Sequence, residues 1–319
     1  MFLQGRKIGR PVAITETNIT RCTAGAGGGG LSYEQGASVQ ITDSLFDECV
    51  AFGDGGGIGS DAASSNELMT RRVTLRRCVR AGDTGYGGGL NVYGTAELID
   101  THFVECLATV RAAVFIARTP LSLIMTGGSI TRCLAVSSTA SGKFIVEVMT
   151  DTTVVMINVE IADSVSNMGS AIQSIGNLRM TRCRMLRLGA ARFNSWYGAL
   201  EVNGGIAVLE DTLIEGQTPD FDASLVAPSD GWVGTDYGGA YAEAGFTPWD
   251  PTLRQAGCLS LAAGTTTLRN VTLARCRNGW DDASAYLRVG PSAQLAGALV
   301  NIVVGCSAPF EGVTSQPIL

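Results

Sequence analysis

Apolar positions recur along this chain at a long, nearly regular interval. With cysteine as a marker, a unit of the form apolar-x-x-Cys appears at Cys22, Cys49, Cys78, Cys106, Cys133, Cys183, Cys276 and Cys306, and Ala162 and Gly216 fill the two gaps. Three residues before each marker stands an apolar side chain: Ile19, Phe46, Leu75, Phe103, Ile130, Val159, Met180, Leu213, Leu273 and Val303. After each marker comes a variable turn and then small residues closed by an aliphatic. Examples are Gly28-Gly29-Gly30-Leu31, Gly55-Gly56-Gly57-Ile58, Gly87-Gly88-Gly89-Leu90, Gly169-Ser170-Ala171-Ile172, Gly198-Ala199-Leu200 and Gly257-Cys258-Leu259. Such a period is the mark of a solenoid, in which each repeat buries its inner face only by stacking on its neighbours. Short alternating or apolar runs at 37–42, 96–99, 153–157 and 266–271 predict strands, and Gly36, Gly94, Gly205, Gly264 and Gly290 mark turns before them. No segment reads as a long amphipathic helix, and parallel strands joined by short turns without helices exclude an α/β sheet. The expectation is an all-β fold, a parallel β-helix solenoid of about ten coils, with 1–319 as a single domain. At one strand spacing per coil the rod is roughly 50 Å long.

The combination Phe-x-x-Cys-x-Ala with Gly-Gly-Gly-[Ile/Leu], seen at Phe46 to Ala51 and at Gly55 to Ile58, resembles the repeat of polymorphic outer membrane proteins. Their F-x-x-N and G-G-A-[ILV] motifs build right-handed parallel β-helices. The resemblance covers about 18–306, with cysteine standing where that family has asparagine. It implies a right-handed β-helix serving as a non-catalytic extended surface, adhesive or structural module, extracellular or at the cell surface, and it carries over no catalytic residue.

The nine cysteines include no C-x2-C pair, which argues against zinc. The markers instead predict an internal column of buried thiols acting as small hydrophobes, with inter-coil disulfides as the alternative. Composition narrows the function classes. A net charge of −6 argues against nucleic acid, which requires clustered Lys and Arg. Hydrophobic residues make up 45% and charged ones 16%, too apolar for disorder, and no apolar run approaches the ~20 residues of a membrane span. Residues 1–11 lack the apolar core of a signal peptide. Neither 1–11 nor 310–319 has the pattern of a cap, so the solenoid ends are expected to meet other segments of a larger protein or further copies of the chain.

Little in the sequence suggests catalysis. The single histidine, His102, precedes the inward Phe103 and is expected to face outward. Gly56-Gly57-Ile58-Gly59-Ser60-Asp61 matches a calcium nonapeptide, but as a lone copy it lacks the successive repeats that complete each ion's oxygen shell. No metal site and no cofactor is expected. One stretch breaks the repeat, the loop insertion at 217–256, and its length points to function. Together with flanking turns it gathers Trp196, Tyr197, Trp232, Asp236, Tyr237, Tyr241, Trp249, Asp250, Trp280, Asp281 and Asp282. Aromatic faces beside carboxylates suit a polysaccharide, so these are the candidate glycan-binding residues of a carbohydrate-active enzyme (a lyase or glycoside hydrolase) or of a glycan-binding protein. The same aromatics would equally form the loop's own small core.

Overall fold

The computed structural model describes residues 1–4, 11–34, 36–60, 66–81, 87–108, 114–116, 121–135, 144–166, 170–190, 198–216, 254–255, 257–276 and 287–303. It is a parallel β-solenoid, and no described residue is helical. Each early coil runs through four strands, which merge in later coils such as Gly198–Glu210 and Gly257–Ala274. A glycine-face strand follows the small residues (Leu31–Glu34, Ile58–Ser60, Leu90–Val92). A long-face strand comes next (Ser38–Thr42, Glu67–Arg71, Thr95–Ile99). A middle-face strand (Leu45–Asp47, Thr74–Arg76, His102–Val104) then leads to a two-residue short-face strand (Val50–Ala51, Val79–Arg80, Leu107–Ala108). Strands pair in register with their counterparts one coil away, Glu67–Arg71 lying between Ser38–Thr42 and Thr95–Ile99 without a slip. Alternation along each strand sends every second side chain inward, so Leu68 and Thr70 are buried while Glu67, Met69 and Arg71 are exposed. Phe46, Leu75, Phe103 and Ile130 stack as one inward column, each burial contributing roughly 1.5–3 kcal/mol.

Beyond Ile130 the column continues through Ile161, Met185, Ile214 and Leu273, not through Val159, Met180 and Leu213, and the backbone register puts Ile302, not Val303, opposite Leu273. Val159 is buried at the preceding corner, and Met180 belongs to the long face, between Met156 and Leu209. Leu213 is half-buried beside the true inward residue, Ile214. The markers shift accordingly: Ser164 and Leu188 occupy the cysteine position that Ala162 and Cys183 were expected to fill, and Gly216 sits at the corner before it. The reason is that the long face and the corner after it are also lined with buried apolar side chains, so apolar-x-x-Cys at Met180 to Cys183 reproduces the motif one strand early.

Two corners carry backbone with positive φ at residues other than glycine coil after coil, and Asp151 is a single case at a third. At the corner between middle and short faces these are Arg21, Glu48, Arg77, Glu105, Arg132, Asp163, Arg187 and Arg275. A left-handed residue there costs of order 1–3 kcal/mol, offset in part because its N–H still donates to the next coil, as Glu48 N does to Arg76 O at 2.9 Å and Arg77 N to Val104 O at 2.8 Å. Charge alternates from Arg21 to Arg187. Arg21 and Arg77 each lie 2.9 Å from Glu48, and Arg132 lies 2.9 Å from Glu105. Each pair is worth little at a surface, but a coil displaced by one place would meet like charge along the whole corner.

Cys49, Cys78, Cys106 and Cys133 are buried free thiols on the inward side of successive coils, with Cys22 half-exposed at the end of the row. Cys276 behaves differently, and Cys306 lies outside the described residues. Cys276 is bonded to Cys258, with Cα atoms 5.4 Å apart, so this pair is a disulfide within one coil and neither a free thiol nor a bridge between coils. Register explains the partnership. Cys258 precedes Leu259, as Gly57 precedes Ile58, and a Cβ built on Gly57 would stand 3.0 Å from Cys78 Sγ. Where glycine becomes cysteine, the two sulfurs meet.

Candidate functional site

The glycine turns roof the outer side of the strand that follows them. Gly87 has φ 76°, and a Cβ there would lie 2.1 Å from Leu90 O and 3.0 Å from Asn91 Cβ, a fold-back that only glycine permits. Asn91 points away from the core, between the inward Leu90 and Val92, yet it is fully buried beneath this turn. Across the coils the same outward position runs in register through Ser32, Gly59, Asn91, Phe115, Glu147, Gln173, Glu201, Ser260 and Arg288.

Three members of this row give it chemical character. Glu201 is 7% exposed, and its Oε2 accepts hydrogen bonds from Gln173 Nε2 at 3.3 Å and Ser170 Oγ at 3.4 Å. Burial pushes its carboxyl above the usual range, and these two hydrogen bonds pull it back only in part. Glu147, two rungs away, is 5% exposed. Among the described residues neither atom of the Asn91 amide has a hydrogen-bond partner, an arrangement that costs about 1–3 kcal/mol unless filled. Asn91, Glu147 and Glu201 are therefore polar groups outside the core but screened from solvent, and the carboxyl of Glu201 is biased toward its protonated form.

All eleven candidates Trp196, Tyr197, Trp232, Asp236, Tyr237, Tyr241, Trp249, Asp250, Trp280, Asp281 and Asp282 lie outside the described residues. What is described are their anchors. Arg254–Gln255, at the end of the insertion, pairs antiparallel with the short-face strand Gly189–Ala190. The Cys258–Cys276 disulfide ties the strand after the insertion to the corner immediately before 277–286. His102 is half-buried on the outward side, as expected, with Nδ1 3.0 Å from Ser129 Oγ one coil away. In the calcium-like hexapeptide, Gly59 serves close packing, since a Cβ there would lie 2.6 Å from both Asp54 O and Gly28 N, and Asp61 lies outside the described residues. Among the described residues no group of three or more His, Cys, Asp or Glu converges on a metal position. Sequence reasoning passed over Asn91, Glu147, Gln173 and Glu201. The signal was the polar residue directly after each closing aliphatic, in Leu90-Asn91-Val92, Val146-Glu147-Val148, Ile172-Gln173-Ser174 and Leu200-Glu201-Val202.

Comparison with protein-family models, with curated proteins and with solved structures finds no match to this chain. The likeness to polymorphic outer membrane proteins thus stays at the level of the repeat motif, beside a β-solenoid fold.

Proposed function

We propose that the chain is a non-catalytic structural or adhesive module of an extracellular or cell-surface protein, a solenoid that holds an extended lateral surface rigid. The observation that carries this reading is the commitment of polar side chains to coil-to-coil stacking, above all the alternating corner charges from Arg21 to Arg187. Rigidity along the stacking axis is what such a ladder provides. The surface on offer is the long face, where the outward row Gln40, Met69, Glu97, Ile124 and Val155 includes Met69 and Ile124, each 39% exposed. A disulfide at Cys258–Cys276 suits an oxidising compartment. The end coils, whose outermost strands Val12–Thr15 and Leu287–Val303 pair on one side only among the described residues, would meet further segments or copies.

A carbohydrate-active enzyme is the second reading, favoured by Glu201, whose raised carboxyl could act as a general acid with Glu147 as its counterpart. The deciding experiment is incubation of the purified chain with neutral and acidic polysaccharides, read by new reducing ends and by absorbance of unsaturated uronate. The module reading expects no turnover. Cleavage that disappears in Glu201→Gln would overturn it.

A further inference from the structure

The thiol column of the first coils is used by neither reading of the function. Cys22, Cys49, Cys78, Cys106 and Cys133 occupy one position in consecutive coils, since the residues three before them pair in register from Ile19 to Ile130. Their sulfurs lean along the stacking axis. Cys49 Sγ lies 3.5 Å from Ile19 O, Cys78 Sγ 3.5 Å from Phe46 O and Cys106 Sγ 3.3 Å from Leu75 O, each acceptor belonging to the preceding coil.

We propose that this column is a binding site for soft, two-coordinate d10 cations such as Cu(I), each held in line between the thiolates of two neighbouring coils, with Cys22 and Cys49 as the loading pair. Three observations lead there. Parallel strands set a backbone repeat of about 4.7–4.9 Å, close to the about 4.6 Å that two collinear bonds of zinc–thiolate length, about 2.3 Å each, would span, so equivalent side chains of neighbouring coils are spaced for a linear ion. Thiolate ligands alone select soft metals, and because no third His, Cys, Asp or Glu converges on the column among the described residues, a tetrahedral zinc site is not on offer. The five thiols are also free, whereas Cys258 and Cys276, facing each other across one coil, are joined. Stacked thiols with parallel side-chain directions suit an S–S bond poorly but leave room for an ion between them.

Entry is set by exposure: Cys22 is half-exposed and the four others are buried, so an ion reaches the column from its Cys22 end. Loading forms two S–metal bonds and breaks two S–H bonds. Both protons leave to solvent, the metal keeps its oxidation state, and no electron acceptor is needed.

The test uses Ag(I), which has the same electron count and no accessible redox step, in a Cys183→Ser, Cys306→Ser background with the disulfide intact, so that the column thiols are the only free ones. Native mass spectrometry and competition dialysis would read uptake, circular dichroism would read the fold, and X-ray absorption would read the silver neighbours. The expected result is retained β-structure, a tight first ion with two sulfur neighbours and no nitrogen or oxygen, and loss of that binding event in Cys22→Ser, a substitution at a half-exposed end position. Equal uptake by Cys22→Ser, coordination by other than two sulfurs, or uptake only as the β-signal collapses would each overturn the proposal. So would failure to take up Ag(I) at all.

Discussion

The coils that carry the thiols and the coils that follow them fill the same interior space with different contents. In the early coils the position before the closing aliphatic is Gly30, Gly57 or Gly89, and a Cβ there would fall 2.6 Å from Phe46 Cδ1, 2.7 Å from Leu75 Cδ2 and 2.7 Å from Phe103 Cδ1. In the later coils the aligned position holds Ile145, Ala171, Ala199 and Cys258, and the inward column opposite is Ile161, Met185, Ile214 and Leu273, with no aromatic. Cysteine gives way to Ser164 and Leu188 and returns as Cys276. Glycine in the turn and an aromatic on the middle face are two halves of one choice, as close packing requires, whereas a leucine there stands opposite Gly57 and Cys258 alike.

The largest expected effect comes from breaking one half of that choice. Phe103→Ala should cost about 3–5 kcal/mol in a reversible urea melt, because Gly89 leaves no side chain to collapse into the hole. Gly89→Ala alone should cost about 1–3 kcal/mol by overpacking. The double variant Gly89→Ala, Phe103→Ile, which copies Ala199 and Ile214, should lose less than Phe103→Ala. If its loss instead equals the sum of the losses of Gly89→Ala and Phe103→Ile measured singly, the positions are independent and the volume exchange is wrong.

The disulfide tests the same geometry with a smaller effect. Replacing Cys258 and Cys276 together by alanine should cost about 3 kcal/mol, the value for a loop of this size. The informative variant is Gly57→Cys, because Leu75 stands opposite it as Leu273 stands opposite Cys258, and because 3.0 Å from Cys78 Sγ is about where the far sulfur of a disulfide lies from Cβ. A thiol titration in denaturant should find one free thiol fewer than in the parent chain. One more would show that the glycine and cysteine positions do not meet there as they do at Cys258 and Cys276.

These contrasts also mark what was legible in the sequence. The stacking, the strand order and the column from Ile19 to Ile130 are written in a period that a single row of apolar residues reveals. The register slips after Ile130 because the interior has several parallel columns, and Met180 with Cys183 satisfies the motif from the wrong one. The disulfide was visible only as two separate landmarks, Gly257-Cys258-Leu259 and Cys276, since nothing in one dimension says that the glycine of a turn lies over the cysteine of its own coil. The buried row from Asn91 to Glu201 was hidden for a related reason. Alternation marks these residues as outward, and outward normally means solvated, so their burial had to be seen before a carboxylate there became notable.

The smallest effect concerns that outward row, where the early coils place Ser32, Gly59 and Asn91 and the later ones Glu147, Gln173 and Glu201. Burial raises the carboxyl of Glu201 above its unfolded value, so the folded chain binds the proton more tightly than the unfolded one. Its contribution to stability is complete below the unfolded value, about 4.3, and is lost as pH rises through the folded one. Asp47 has the opposite sign: burial raises it, but the hydrogen bond from Arg76 and the charges of Arg77 and Arg76 outweigh that, so its contribution is present at neutral pH and lost on acidification. Glu201→Gln keeps a hydrogen-bonding side chain and removes the titration. Measured by urea midpoints across a pH series, the variant should gain on the parent as pH climbs from about 4 toward neutrality, whereas Asn91→Ala should differ from the parent by an amount that does not change with pH. A gap for Glu201→Gln that is constant, or that grows in the parent's favour at neutral pH, would mean that the carboxylate is stabilised in its charged form and that its site is not the solvent-screened one described above.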